Sequence, residues 1–184
     1  MEFRTATEDD VDAIVALVGH AYRGTGGTPG WTTEAHLFDG PRTDADQVRS
    51  VLAAPQDTLV VAEDAGALLA CCTVTDHGRI AYFGMFAVSP TAQGSGVGTT
   101  LLAEAERIAR HELGAARMVM TVIASRAELL AWYERRGYRR TGKVAPLPQE
   151  HAVHVRPGVE VQLETLVKRL GDGEDAVVPP GTLG

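Results

Sequence analysis

At 184 residues, with 45% hydrophobic and 22% charged residues, the chain can bury one sizeable core and has the composition of an ordinary globular domain. A formal net charge of -7 argues against nucleic acid as a partner, which usually demands a basic surface, and leaves a small cationic substrate open. No apolar run approaches membrane-spanning length, and the start, Met1–Glu2–Phe3–Arg4, lacks the apolar core of a signal peptide; the expectation is a cytoplasmic protein with no membrane partner.

Residues 1–6 alternate as a first strand. Thr7, Glu8, Asp9 and Asp10 then read as a capped helix start, and Val11, Ile14, Val15 and Val18 give that helix its buried face. From Gly24 to Gly30 the chain is too rich in glycine to continue regularly. Residues 31–42 mix aromatic, acidic and basic side chains without periodicity, which suits a loop facing a substrate or a plain surface segment. Residues 44–54 read as a short helix stopped by Pro55. Residues 58–64 and 67–76 form a hairpin through Ala65–Gly66, and a turn at His77–Gly78 follows. Cys71 and Cys72 are adjacent in one strand, so they point to opposite faces and are expected as reduced thiols.

The next stretch organises the chain. Residues 80–88 are largely apolar and aromatic, broken by Gly84, where a bulge or a close ligand is expected. Pro90 has no N–H for a sheet ladder, so pairing should stop there. The loop Gln93, Gly94, Ser95, Gly96, Val97, Gly98 leads into a helix over 99–113. Its buried face is Leu101, Leu102, Ala105, Ile108, Ala109 and Leu113, and Gly114 ends it. A glycine-rich loop at a helix start offers backbone N–H groups at the positive end of the helix dipole, which suits a phosphate or pyrophosphate. A P-loop would need Gly-Lys-Ser/Thr, and this loop has no lysine. A dinucleotide fold wants Gly-x-Gly-x-x-Gly and an acid closing the next strand, and no Asp or Glu occurs between Glu112 and Glu128.

Residues 117–124 are an apolar strand, so strand, helix and strand make a βαβ unit with parallel strands and a right-handed connection. Ser125 is expected to cap a helix running to about Arg136 and ended by Gly137. Residues 138–143 read as a short strand, 145–157 as an irregular loop, and 160–167 as a final strand. Residues 171–184, acidic and rich in Pro and Gly, read as a disordered tail behind a single domain over 1–170.

Gln93, Gly96 and Gly98 satisfy the pattern Gln/Arg-x-x-Gly-x-Gly/Ala after a strand, and the loop resembles the acyl-CoA pyrophosphate loop of the GCN5-related N-acetyltransferases (GNAT). Trp132, Tyr133, Glu134, Arg135, Arg136, Gly137 and Tyr138 reproduce, in order, the second recognisable block of that family. The close match covers about residues 80–141. The resemblance implies an α/β fold: a central mixed sheet with flanking helices and two parallel strands, 81–89 and 117–124, splayed where the cofactor enters. It implies acetyl-CoA as cofactor and transfer of an acetyl group to an amine by direct attack in a ternary complex. The acceptor would be a small molecule, with a peptide or protein less favoured. Phe86, Ala87 and Val88 would line the free strand edge against the pantetheine arm, and the amides of Gln93, Gly94, Ser95, Gly96, Val97, Gly98 and Thr99 would hold the pyrophosphate. Tyr133 matches the family tyrosine that protonates the departing thiolate, and a backbone N–H near Ala87 or Val88 would steady the oxyanion.

Two features depart from the family pattern. Arg126 stands where many members carry a cofactor-contacting asparagine, and its side chain could reach a CoA phosphate or solvent. No Asp or Glu occurs between Arg79 and Ser89, where a general base often sits. Trp31, Glu34, Tyr82 and His151 are the candidate substrate-facing residues, and Glu34, His20, Tyr82, His151 and His154 the candidate bases. His151 and His154 lack a third ligand at a supporting spacing, so no metal is expected. The alternative to an enzyme is an acyl-CoA-binding sensor without turnover. Homodimers are common among such proteins.

Overall fold

The computed structural model describes residues 1–25, 30–31, 33–152 and 154–171, with the backbone alone of Glu150 and His151. Among them one mixed sheet forms in the order β1-β2-β3-β4-β5-β7-β6. Its strands are β1 (Glu2–Thr5), β2 (Asp57–Asp64), β3 (Ala67–Asp76), β4 (Ile80–Val88), β5 (Arg117–Ile123), β6 (Arg139–Pro146) and β7 (Gln162–Arg169). The helices are α1 (Val11–Arg23), α2 (Ala45–Ala53), α3 (Val97–Arg107), α4 (Ala127–Glu134) and α5 (Gln149–Ala152). The β4–β5 pair is parallel and the other neighbours are antiparallel. The expected tail over 172–184 lies outside the described residues.

Apolar side chains on the two faces of the sheet build separate cores. Val11, Ile14, Leu17, Val18 and Ala21 of α1, with Val48 of α2, pack on Leu59, Val61, Cys71 and Ala87. Leu101, Leu102 and Ala105 of α3 pack on Val60, Ala62, Cys72, Val74, Ala81 and Phe83. Cys71 and Cys72 thus belong to opposite cores, as strand alternation requires, and both are buried free thiols.

Several boundaries differ from the sequence reading. A 3₁₀ turn over Glu8–Asp10 precedes α1, and Thr7 and Asp10 form a reciprocal capping box. The α3 helix continues as a π turn over Ile108–Glu112 before Gly114, at φ +69°, ends it. Arg126, not Ser125, occupies the N-cap of α4. The segment expected to be irregular after Lys143 instead extends β6 to Pro146 and adds α5, because β7 offers pairing partners as far as Gln162. Pro146 is tolerated there because β6 is the edge of the sheet.

Arg4 ties β1 to this capping box through a two-pronged bond to Asp10, at 2.7 and 2.8 Å, and the Thr7 amide donates to the same carboxylate at 2.8 Å. The guanidinium first, and the Thr7 amide after it, hold the Asp10 carboxyl at about 2, against an opposing effect of burial. A depressed folded-state value contributes stability above the unfolded value near 3.8, which is lost as pH falls towards 2. Urea midpoints should therefore favour the parent over Asp10→Asn at pH 6, with the gap shrinking between about pH 4 and 2. A constant gap would mean that Asp10 acts through shape alone.

Candidate active site

The site grows from one extra residue in β4. Cys71 faces Ala87 and Thr73 faces Gly84, so two steps on β3 match three on β4. The surplus falls at Met85, a non-glycine residue at φ +43°, which makes this a β-bulge. A bulge shifts the side-chain alternation by one: Ala81 and Phe83 face the α3 core, Met85 and Ala87 the α1 core, and Phe86 and Val88 face α3 again. The sequence pointed to Gly84, one position early. Gly84 is glycine for another reason, since a Cβ there would stand 2.9 Å from Thr73 Oγ1.

Past the bulge, β4 leaves β5. The two pair only from Ile80 to Tyr82 against Arg117 to Val119, although both strands run on. At the apex of this fork the Tyr82 hydroxyl and Thr121 Oγ1 are hydrogen-bonded at 2.7 Å. The carbonyls freed by the bulge are met by side chains: Tyr22 of α1 donates to Phe86 O, and Cys71 Sγ lies 3.6 Å from Met85 O. Burial, with Glu34 adding to it, pushes the Tyr22 phenol well up. Ser89 N donates to Leu69 O at 2.8 Å. Antiparallel alternation then turns the Ala87 amide to β3 and the Val88 amide toward the fork. The Val88 carbonyl accepts from Gln93 Nε2 at 3.2 Å.

The glycine loop sits at the open end of the fork. Gly94 and Gly96 are left-handed, at φ +82° and +91°, and a Cβ on either would meet nothing within 4 Å. Gly96 is the N-cap of α3, and Thr100 is the first residue to bond back, N to Gly96 O at 3.0 Å. The amides of Val97, Gly98 and Thr99 therefore emerge from the helix start. Gly98 lets helix and strand touch, since its Cβ would lie 3.3 Å from both Phe86 and Val88. The Ser95 hydroxyl is spent on Ala92 O, at 2.6 Å. Open space ringed by outward N–H groups at a helix N-terminus fits a pyrophosphate.

Tyr133 of α4 is 4% exposed, its ring edge-on to Trp132 and Tyr138 and 6.4 Å from Phe86. Burial pushes its phenol well above the ordinary value, Tyr22 and Cys72 add to the effect, and Arg126 opposes it. Its hydroxyl has no hydrogen-bond partner among the described residues, and every fully buried side-chain polar atom described has one. The hydroxyl therefore reaches open space.

Over the mouth of the fork lies Trp31, which is 46% exposed. Its amide donates to Gln93 Oε1 at 2.6 Å and its indole N–H to Glu128 at 3.0 Å, while Arg126 donates to its carbonyl at 3.3 Å. Glu34 is buried, with Arg23 at 3.4 Å and Arg126 at 3.5 Å on its two oxygens. Trp31, Glu34, Tyr82 and Arg126 thus converge on the fork, as do Phe86, Val88 and Tyr133. His20 does not: it is exposed on the far side of α1, lining a separate groove with Phe38, Arg42 and Arg156. His154 packs against Gly40, and the His151 side chain lies outside the described residues. Sequence reasoning missed Tyr22. Tyr22 could have been found, since it lies four residues past Val18 on the same face of α1.

A family model described as Acetyltransferase (GNAT) family matches residues 29–138. The chain belongs to the GNAT acetyltransferase family. Solved structures share the fold. The ribosomal-protein-alanine N-acetyltransferase from Brucella melitensis is 21% identical, with a TM-score of 0.70 over 92% of this chain and 99% of that one. The Salmonella typhimurium protein yncA, solved with its cofactor acetyl-CoA, is 22% identical, at 0.66 over 97% and 99%. A spermidine N-acetyltransferase variant from Vibrio cholerae is 17% identical, at 0.65 over 92% and 95%. Among curated proteins no sequence relative matches. This GNAT protein is accordingly an acyltransferase whose cofactor is acetyl-CoA, on a mixed sheet with flanking helices. No described helix is long and apolar enough to cross a membrane.

Proposed function

We propose that this GNAT enzyme is an N-acetyltransferase that acetylates the amine of a small molecule, by direct attack with both substrates bound. The observation that supports it most is the Tyr133 hydroxyl, which reaches open space from an otherwise buried ring and has no partner among the described residues, at the open fork beside the start of α3. Acetyl-CoA supplies the acetyl group as a thioester. The Val88 amide, turned toward the fork, donates to the acyl oxygen as that oxygen gains charge. Tyr133, kept protonated by burial, gives its proton to the departing sulfur. Gly94, Gly96, Val97, Gly98 and Thr99 hold the pyrophosphate through backbone N–H groups, while the amides of Gln93 and Ser95 donate to Ser89 O and Ala92 O and shape the loop. Arg126 pairs with Glu34 and donates to the Trp31 carbonyl, which braces the mouth where the amine enters.

Glu34 has each carboxylate oxygen committed to an arginine, so we assign it to positioning rather than to proton abstraction. The acceptor then reacts as its neutral amine. The expected signature is a kcat/KM that rises about tenfold per pH unit below the amine's own pKa. Glu34→Gln should leave that slope in place; a slope that vanishes in the variant would make Glu34 the base.

The direct test is thiol release from acetyl-CoA across a panel of small amines and peptides, beside a melting curve. Saturation at a hundred times Kd adds about 2.7 kcal/mol, several degrees for a chain of this size. Release with a small amine is expected. Release with peptides alone would move the acceptor to protein, and a melting shift without any release would favour a sensor.

A further inference from the structure

Resting on that reading of the loop as the cofactor's phosphate site, the structure assigns Arg136 as the side chain that takes a phosphate group of the CoA nucleotide. Most arginines that the structure pairs here have a carboxylate: Arg4, Arg23, Arg49, Arg107, Arg126, Arg140 and Arg156 all do. Arg136 has none among the described residues, in a chain whose net charge is -7. It is nevertheless held firmly. Its guanidinium lies 3.5 Å from the Trp132 ring centroid, Nη1 donates to Trp132 O at 2.8 Å, and Nη2 and Nε donate to Thr99 Oγ1 at 2.7 and 3.3 Å. Three of the five N–H groups are used, which leaves one on each Nη for a ligand.

The anchor points set the direction. Thr99 is in the first turn of α3, directly after the glycine loop, and Trp132 lies 3.8 Å from the Cβ position of Gly98. The guanidinium therefore shares the end of the helix whose outward amides and dipole already favour an anion. Burial first, and the neighbouring Arg135 after it, work against its charge and outweigh the opposing effect of Tyr133, so an anionic ligand relieves that cost. A planar, pre-oriented fork stacked on an indole is a phosphate-binding geometry rather than a solvated surface charge.

Two phosphates of CoA share this chemistry, the pyrophosphate and the 3′-phosphate on the ribose, and titration calorimetry with CoA and 3′-dephospho-CoA separates them. For Arg136→Gln we expect CoA affinity to fall ten- to hundredfold, and the salt dependence of binding to weaken. An equal fall for dephospho-CoA assigns the pyrophosphate; an unchanged affinity for dephospho-CoA assigns the 3′-phosphate. Arg136→Lys, which keeps the charge but not the fork, should recover part of the loss. A melting curve without ligand checks that the variants fold. If the parent binds CoA and Arg136→Gln binds both ligands with parent affinity and salt dependence, Arg136 has no such role. If the parent binds neither, the reading of the loop itself fails.

Discussion

Replacing Tyr133 with phenylalanine should lower kcat for acetyl transfer by about a hundredfold or more, while acetyl-CoA still binds with parent affinity. General acid catalysis contributes roughly 10² to 10⁴ in rate, and a phenyl ring keeps every packing contact that the Tyr133 ring makes. Those contacts, edge-on to Trp132 and Tyr138 and near Phe86, involve the ring and not the hydroxyl. Because the hydroxyl has no partner among the described residues, its removal leaves no orphaned group, so melting temperature should hardly move. Burial holds the phenol protonated, hence the parent should lose no turnover through Tyr133 ionisation as pH rises towards 10. Calorimetry, melting curves and a pH profile of kcat on parent and variant decide this. Unchanged turnover would remove Tyr133 from the mechanism and leave it a packing residue.

The second large effect belongs to the loop. Gly96→Val should weaken acetyl-CoA binding at least a hundredfold, about 2.7 kcal/mol, because nothing in the protein opposes the new side chain. Its Cβ would project into the open space ringed by the amides that receive the pyrophosphate. Gly96 is also at φ +91°, so a β-branched residue strains the backbone and stability should drop by roughly 1–2 kcal/mol. The strain is separable from the blockade. Gly66, in the β2–β3 turn at φ +81°, is equally open, so Gly66→Val should cost similar stability and leave affinity untouched. Retention of affinity in Gly96→Val would put the phosphates elsewhere.

Local chemistry was legible in the chain itself. Pro90 and the run of glycines from Gly94 to Gly98 mark a strand that stops and a helix that starts with bare amides, because proline fixes the backbone and glycine frees it without reference to neighbours. The order Trp132 to Tyr138 marked Tyr133, and adjacency alone sent Cys71 and Cys72 to opposite faces. Periodicity placed α1, α2, the β2–β3 hairpin, β4, α3 and β5 to within a few residues.

Contacts between distant segments decided the rest. That β7 inserts between β5 and β6, and so extends β6 to Pro146, depends on pairing across the sheet. The bulge fell at Met85 because the β3–β4 register, set by packing on both faces, has one residue too many there. That surplus turns Phe86 and Val88 to the glycine helix and frees the carbonyl that Tyr22 reaches from 64 positions away in sequence. Arg126 reads in sequence as a CoA contact or a solvated side chain, yet it faces Glu34 and the Trp31 carbonyl. Arg136 reads as one more basic residue, yet Thr99 and Trp132 fix it at the start of α3. Hydrogen-bond and charge partners separated by dozens of residues leave no period or motif in a sequence, so folding alone selects them.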